Sequence, residues 1–241
     1  MQTHKEWVLI DRRGSHLWLT LNRPEKANAM TVSMVEALTT NIVTAGSDPD
    51  IRAIVLSGVG ERVFCAGVDV REKPEDGDMA AQRERRSHAL ASLQDAILDL
   101  PKPVIAVLNG MATGAGAMLG LMADSCVAVE GAEISLPEID IGIASYSGAS
   151  ILTAIGGRAL ALDLIQSGRR MTAYEAQSRG LVRTVTPRIE LDSAGTAAAE
   201  LLGAKNPQAF ADIKQWINRG LKAALTEARL EHARHRAKVP Q

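Results

Sequence analysis

The stretch from Asn109 to Asp124, NGMATGAGAMLGLMAD, constrains the fold of this chain more than any other segment. It follows the apolar run Val104 to Leu108, which predicts a buried strand. The glycines of the stretch let backbone approach a ligand closely, and the small apolar residues after them predict a fully buried helix. A helix start offers free N–H groups and the positive end of the helix dipole. The stretch therefore predicts a cradle for an anion, or for an oxygen that becomes anionic during a reaction.

A second glycine loop, FCAGVD at residues 64–69, comes after another predicted buried strand, Ile51 to Leu56. Parallel strands that are neighbours in a sheet end at the same edge, so we expect the two loops to meet in one crevice. Backbone N–H groups from both loops can then point at a single oxygen. Either loop alone is as readily explained as a tight turn as by ligand binding. The presence of both loops is the more specific indication of a binding site.

Composition excludes several classes of protein. Hydrophobic residues make up 46% and charged residues 23% of the 241 residues, which is typical of a globular chain. The 27 basic residues balance the 28 acidic ones, so we expect no nucleic-acid partner. Cys65 and Cys126 lack the spacing of a zinc site or a disulfide framework, and we expect no metal. No leader-like segment and no apolar run of ~18 residues stands out, which predicts a cytoplasmic protein without a membrane partner.

Strands and helices are predicted to alternate, which indicates the α/β class. Two strands, Glu6–Asp11 and His16–Leu21, precede a helix at Val32–Thr44 that Thr31 caps. Gly156 and Gly157 form a stop signal for the helix before them. Further helices are predicted at residues 79–99, 159–166, 173–178 (capped by Thr172), 191–202, 206–225 and 226–238.

Five segments occur in the order and at the spacing of the crotonase superfamily, also called the enoyl-CoA hydratase/isomerase family, which this chain resembles over nearly its whole length. They are NRPEKANAM (22–30), FCAGVDV (64–70), NGMATGAGAMLGLMAD (109–124), LPEIDIGIA (136–144) and SGRRMTAYEAQSRGLV (167–182). The resemblance implies a spiral core of repeated ββα units in residues 1–190 and a helical C-terminal region for trimerisation in residues 191–241. It also implies an acyl-CoA thioester as substrate and a homotrimer or a dimer of trimers.

The same resemblance assigns the site. The thioester carbonyl is expected between the backbone N–H groups of Val68 and Ala115, and coenzyme A enters as part of the substrate, with no separate cofactor. The residues on the coenzyme side are Arg23, Lys26, Ala27, Ala66, Asp69 and Val70. The residues of the acyl pocket are Met118, Gly114 and Ile141.

The pattern departs from the family at its acid/base residues. Hydratases of the family use two glutamates, and the first falls here on Met118, which cannot transfer a proton. The second is present as Glu138. One carboxylate suffices to move a double bond from the 3 to the 2 position of an enoyl-CoA, because the same base removes a proton from C2 and returns it to C4. We expect apolar neighbours, Ile139 and Ile141 among them, to desolvate this carboxylate and raise its pKa.

The favoured prediction is an enoyl-CoA isomerase (3-enoyl to 2-enoyl-CoA) with Glu138 as acid/base, and two alternatives remain open. One is an enoyl-CoA hydratase or acyl-CoA hydrolase with a non-standard second acid/base, for which Asp140 and Tyr146 are candidates. Tyr146 stands where the dehalogenases of the family carry their nucleophile. The other is a noncatalytic acyl-CoA-binding subunit.

The segment EARLEHARHRAKVPQ differs from the coenzyme-covering segment of many family members. Five basic residues in it are candidates for phosphate contact, although a solvated helical tail is the favoured interpretation. They are Arg229, His232, Arg234, His235 and Arg236.

Overall fold

The computed structural model describes residues 6–74 and 77–238, with side chains as far as residue 235. The strands are β1 (Val8–Arg13), β2 (His16–Leu21), β3 (Ala53–Gly58), β4 (Val63–Cys65), β5 (Val104–Leu108), β6 (Met111–Thr113), β7 (Ser125–Val129), β8 (Glu133–Ser135), β9 (Met171–Thr172) and β10 (Thr184–Thr186). The helices are α1 (Val32–Ser47), α2 (Met79–Asp99), α3 (Ala115–Met122), α4 (Tyr146–Ser167), α5 (Ala173–Ser178), α6 (Leu191–Gly203) and α7 (Pro207–Lys238). Short 3-10 helices lie at Pro24–Lys26, Glu138–Ile141 and Arg188–Glu190.

Two sheets share the strands. The main sheet has the order β1-β2-β3-β5-β7-β10, and the second has the order β4-β6-β8-β9. Pairing is parallel from β2 to β10 in the main sheet and from β4 to β8 in the second sheet. The chain therefore places one strand in each sheet before each of α2, α3 and α4, which is a repeated ββα spiral. The predicted α/β class and spiral core are confirmed.

The apolar runs form the strands that lie deepest in the molecule. All residues of β3, β5 and β7 are buried, because helices or the second sheet cover both faces of the main sheet. Helix α6 lies against this sheet, and a Cβ on Gly195 would stand 2.6 Å from Val107 and 3.3 Å from Trp18. Residues 191–203 thus pack on the same sheet as the spiral, and the domain boundary at residue 190 stays a prediction.

Helix starts follow the predicted capping. The Thr31 hydroxyl accepts a hydrogen bond from the N–H of Met34, and the Thr172 hydroxyl accepts one from the N–H of Glu175. Both predicted caps are confirmed. Glu72 adds a carboxylate that accepts from the N–H of Val32 at the positive end of α1.

The stretch from Asn109 to Asp124 contains one element more than predicted. A three-residue strand, β6, separates β5 from α3, because residues 111–113 pair with β4 and β8 of the second sheet. Gly110 turns the chain from one sheet to the other, and a Cβ there would lie 2.3 Å from the carbonyl of Arg62. The pattern of residues 111–113 is too short to show a strand.

Several predicted boundaries were wrong. The first strand lies two residues later than predicted, at Val8–Arg13. The predicted helices 206–225 and 226–238 form one helix, α7, since no glycine or proline interrupts the sequence at residues 225–226. The predicted stop signal at Gly156 and Gly157 is confirmed, because Gly157, with φ of 78°, is non-helical and divides α4 into two helical segments.

Helix α4 is long and apolar enough, by length and composition, to cross a membrane, with a mean hydropathy of 1.4 over 18 residues. Ile151, Leu152, Leu160 and Leu164 of this helix are buried within the chain. A buried core helix passes the same test, so one such helix is weak evidence for a membrane.

Candidate active site

The backbone of residues 27–30 holds the first glycine loop on one side. The N–H of Ala66 donates to the carbonyl of Ala27 over 3.0 Å, and the N–H of Asp69 donates to the carbonyl of Met30 over 2.8 Å. The carbonyl of Gly67 accepts from the N–H of Met30 over 2.8 Å. The hydrogen bonds with Met30 thus use the carbonyl of Gly67 and the N–H of Asp69, the residues on either side of Val68. Among the described residues, none accepts a hydrogen bond from the N–H of Val68.

The second glycine loop lies directly against the first. A Cβ on Gly67 would stand 3.2 Å from the nitrogen of Ala115 and 3.0 Å from the carbonyl oxygen of Thr113. Ala115 is the first residue of α3, and Gly114 before it has φ of 57°. In the described part of the chain, the N–H of Ala115 also has no acceptor. The structure therefore brings together the two loops that carry both predicted donors.

The carboxylate of Glu138 lies beside Gly114 of the second glycine loop. Its Oε1 stands 3.5 Å from the position that a Cβ on Gly114 would occupy. Burial raises the pKa of Glu138, and its own backbone N–H offsets part of this rise. Oε2 of Glu138 and Oγ of Ser145 are both buried and make no hydrogen bond to a described residue. The carboxylate is thus desolvated and open to a substrate proton.

The pocket residues differ in their surroundings. Met118 is buried in α3, and its sulfur accepts from Nε2 of Gln94 on α2 over 3.7 Å. Ile139 and Ile141 are exposed, Ile141 by 65%, so they do not desolvate Glu138 as predicted. The 3-10 helix that starts at Glu138 directs these side chains to the surface. Ile141 does not line an enclosed pocket in this chain.

The basic residues near residue 25 have two different environments. Arg23 and Asp69 are each only 15% exposed and form an ion pair of 2.7 Å, and Arg23 also donates to the carbonyl of Ala29. Arg23 thereby positions the loop that carries Val68. Lys26 is exposed and makes no ion pair with a described residue, so it is free to meet a phosphate. Val70 is exposed beyond the loop.

The end of α7 contacts the start of α4 and α2, so the predicted solvated tail is wrong for Arg229 and is confirmed for the exposed Arg234. The ring of Tyr146 lies edge-on to His232 and His235, with centroids 6.1 and 6.3 Å apart. Arg229 is bidentate to Asp95 and donates to Oε1 of Gln94. These contacts hold α7 against α2 and the start of α4. The side chain of Arg236 lies outside the described part.

Thiol and metal chemistry have no support at this site. Both cysteines are buried and free, and burial raises the pKa of each thiol to about 12. Within residues 6–74 and 77–238, no three His, Cys, Asp or Glu side chains are grouped to hold a metal ion.

Sequence reasoning missed several polar residues that shape the site. Asn28 is fully buried and donates to the carbonyls of Val59 and Val63, while Asn109 donates to the carbonyl of Gly60. Asn28 thus ties the loop of residues 22–30 to the turn at residues 59–63, and Asn109 ties the second glycine loop to the same turn. Both asparagines lie inside the quoted segments, but only Asn109, which precedes Gly110 at the end of a buried strand, has a local sequence signal.

Comparison with known proteins identifies the family. The sequence profile described as enoyl-CoA hydratase/isomerase matches residues 12–240. The chain is 35% identical over 237 residues to the putative enoyl-CoA hydratase/isomerase YngF of Bacillus subtilis, covering 97% of this chain and 90% of the relative. It is 38% identical over 212 residues to a carnitinyl-CoA dehydratase of Salmonella enteritidis, covering 87% and 79%.

A solved structure agrees with these relatives. The crystal structure of an enoyl-CoA hydratase from Mycobacterium avium subsp. paratuberculosis superposes with a TM-score of 0.84 at 27% identity, over 97% of this chain and 95% of that chain. This chain belongs to the enoyl-CoA hydratase/isomerase family, and it is an acyl-CoA enzyme of that family.

Proposed function

We propose that this enzyme is an enoyl-CoA isomerase that converts 3-enoyl-CoA to 2-enoyl-CoA. The observation that carries the proposal is a desolvated Glu138 in a chain that has the apolar Met118 at the other acid/base position. Two backbone N–H groups nearby have no acceptor among the described residues. The family relatives named above include a hydratase and a dehydratase, and Met118 is the feature that favours a different reaction here.

The proposed reaction needs one base and no cofactor. Glu138 takes a proton from C2, and the electrons of the C–H bond pass into a dienolate whose oxygen lies between the N–H groups of Val68 and Ala115. The protonated Glu138 then returns the proton to C4, which forms the 2,3 double bond and restores the carboxylate. Each oxyanion donor typically contributes ~3 kcal/mol to transition-state stabilisation. Both donors are peptide groups, so alanine at position 115 supplies the same donor as glycine.

A hydratase is the second candidate. Hydration requires a group that activates water and a group that protonates carbon. Tyr146, flanked by His232 and His235, is the observation that favours it, because these side chains offer a second proton carrier near Ser145.

The test is incubation with 3-enoyl-CoA and 2-enoyl-CoA thioesters. We expect conjugated 2-enoyl-CoA to form, measured by its ultraviolet absorbance, and we expect Glu138→Gln to slow this at least ~100-fold. Glu133→Gln, which removes only an exposed partner of Arg170, is the control. A product heavier by one water would support the hydratase, and thioester binding without turnover would support a noncatalytic subunit.

We also propose that the enzyme forms a homotrimer or a dimer of trimers. Trp216 and Ile217 on α7 are 65% and 71% exposed, and Ile213 lies one turn before them. Large apolar side chains grouped on one helix face are typical of an interface. Sedimentation equilibrium measures the assembly directly.

A further inference from the structure

Arg86 presents a buried guanidinium edge that makes no hydrogen bond within the described part of the chain. It lies on α2, one turn after the buried Gln82, on the side of the helix that faces the molecule. Its Nε and Nη2 atoms are both buried and make no hydrogen bond to a described residue. Buried charged groups in folded proteins are nearly always paired, because desolvation without hydrogen bonds is costly. This edge of Arg86 is therefore available to donate hydrogen bonds to a ligand.

Asp69 is close enough to interact with Arg86 by charge but does not occupy its donors. Burial raises the pKa of Asp69, and the hydrogen bond from Arg23, the N–H of Arg71 and the charges of Arg23 and Arg86 together bring it below its ordinary value. Oδ2 of Asp69 accepts from Arg23 over 2.7 Å, and Oδ1 accepts from the N–H of Arg71 over 3.0 Å. Both oxygens of the Asp69 carboxylate therefore already accept hydrogen bonds from groups other than Arg86.

The position of Arg86 relates it to the acyl group. Asp69 follows Val68, one of the two N–H donors, directly in sequence. Gln94, eight residues after Arg86 on α2, contacts Met118 in the acyl pocket. Eight residues of helix span about 12 Å, and the half-buried Leu90 lies between them. Helix α2 thus carries both Arg86 and Gln94, the residue that contacts Met118.

We propose that Arg86 binds a carboxylate carried on the acyl group, so that the enzyme prefers dicarboxylic acyl-CoA thioesters. Nε and Nη2 form one edge of the guanidinium, and this edge donates two parallel hydrogen bonds to the two oxygens of a carboxylate. The inference rests on the proposed acyl-CoA site. The coenzyme diphosphate is the less suited anion, because the exposed Lys26 offers it a cation at the surface whereas the donor edge of Arg86 is buried.

Binding of saturated thioesters tests this without turnover. Calorimetric titration compares succinyl-, glutaryl- and adipoyl-CoA with the uncharged butyryl-, pentanoyl- and hexanoyl-CoA, and with free coenzyme A. We expect at least one dicarboxylic thioester to bind about tenfold or more tightly than its uncharged counterpart. Arg86→Met should abolish this preference and leave the uncharged thioesters unchanged. Arg83→Met, an exposed arginine on the same helix, is the matched control and should keep the preference.

Other outcomes would overturn the proposal. Equal weakening of every thioester and of free coenzyme A by Arg86→Met would place the arginine on the coenzyme, and no change in any of them would make it structural. If wild-type protein binds no thioester, the proposed function fails together with this inference. If thioesters bind without a carboxylate preference, the inference alone fails.

Melting temperature separates a ligand-binding arginine from a structural one. Since Nε and Nη2 have no partner, Arg86→Met should leave the melting temperature unchanged or raise it. A fall of several degrees would show that the guanidinium supports the fold, which would contradict the proposal. Arg86→Lys keeps the charge but loses the paired donors, so we expect it to keep only part of the preference.

Discussion

Burial of the Glu138 carboxylate makes activity depend on pH in a definite direction. The carboxylate must be ionised to take a proton, and its pKa is raised. We therefore expect kcat/KM for isomerisation to fall as pH decreases, with a midpoint above 4.5, the ordinary value for glutamate. The pH profile of Glu133→Gln should have the same midpoint. A midpoint at or below 4.5 would mean that Glu138 is solvated during catalysis.

The raised pKa of Glu138 also makes the stability of the protein depend on pH. Activity is expected to increase with pH, whereas the contribution of Glu138 to stability decreases. A group whose pKa is higher in the folded protein favours folding at low pH, and this contribution is lost as pH rises through the folded value. Glu138→Gln removes the buried charge, so the melting temperature of the variant relative to wild type should increase as pH rises above 4.5, the ordinary pKa of glutamate. Thermal unfolding at several pH values measures this, and a difference that does not change with pH would contradict it.

Substitutions of Met118 can distinguish an isomerase from a hydratase. A glutamate in place of Met118 would receive a hydrogen bond from Nε2 of Gln94, which now donates to the sulfur. We expect Met118→Glu to raise the rate of water addition to 2-enoyl-CoA by about 100-fold. Met118→Gln has a similar shape without a proton to transfer and should show no gain. A folded Met118→Glu variant without hydratase activity would count against α3 as the second side of the site.

At the scale of elements, α3 depends on a glycine that touches the neighbouring loop. A Cβ on Gly116 would stand 2.3 Å from the carbonyl oxygen of Cys65, whereas one on Gly120 would stand 3.3 Å from the mobile end of Leu108. Gly116→Ala should therefore destabilise the protein by about 1–3 kcal/mol. Gly120→Ala should be nearly neutral, because alanine favours helix by up to ~1 kcal/mol. Urea unfolding of both variants measures the contrast, and equal stability would show that the two loops separate freely.

The glycine loops could be predicted from sequence because their signals are local. Buried strands are marked by apolar runs and sharp turns by glycine, so residues 64–69 and 109–116 are recognisable without a structure. Strand β6 was missed because its pairing with β4 and β8 is long-range and its three residues carry no pattern of their own. Gln94, Arg86 and Ser145 were missed for the same reason, since only the folded chain brings them near Met118, Asp69 and Glu138.

At the scale of the whole molecule, α7 is held to the core by a buried ion pair. Nζ of Lys214 stands 2.6 Å from Asp124, which also accepts from the N–H of Val104, and both partners are largely buried. Lys214→Met leaves a buried carboxylate without its cation, and we expect a loss of about 3–5 kcal/mol. Lys222→Met removes an exposed ion pair to Asp99 on the same helix and should cost less than ~1 kcal/mol. Denaturant unfolding compares the two, and similar losses would contradict the assignment of the buried pair.

The two N–H groups beside Glu138 belong to the peptide backbone, and this affects how such an enzyme can change over generations. A codon change at position 68 or 115 alters the side chain and keeps the donor, unless proline results. Codons 118 and 138 instead specify the groups that do or do not carry protons. Under the proposed mechanism, mutation can therefore exchange one reaction for another on the same thioester, while both hydrogen-bond donors to its carbonyl oxygen are inherited unchanged.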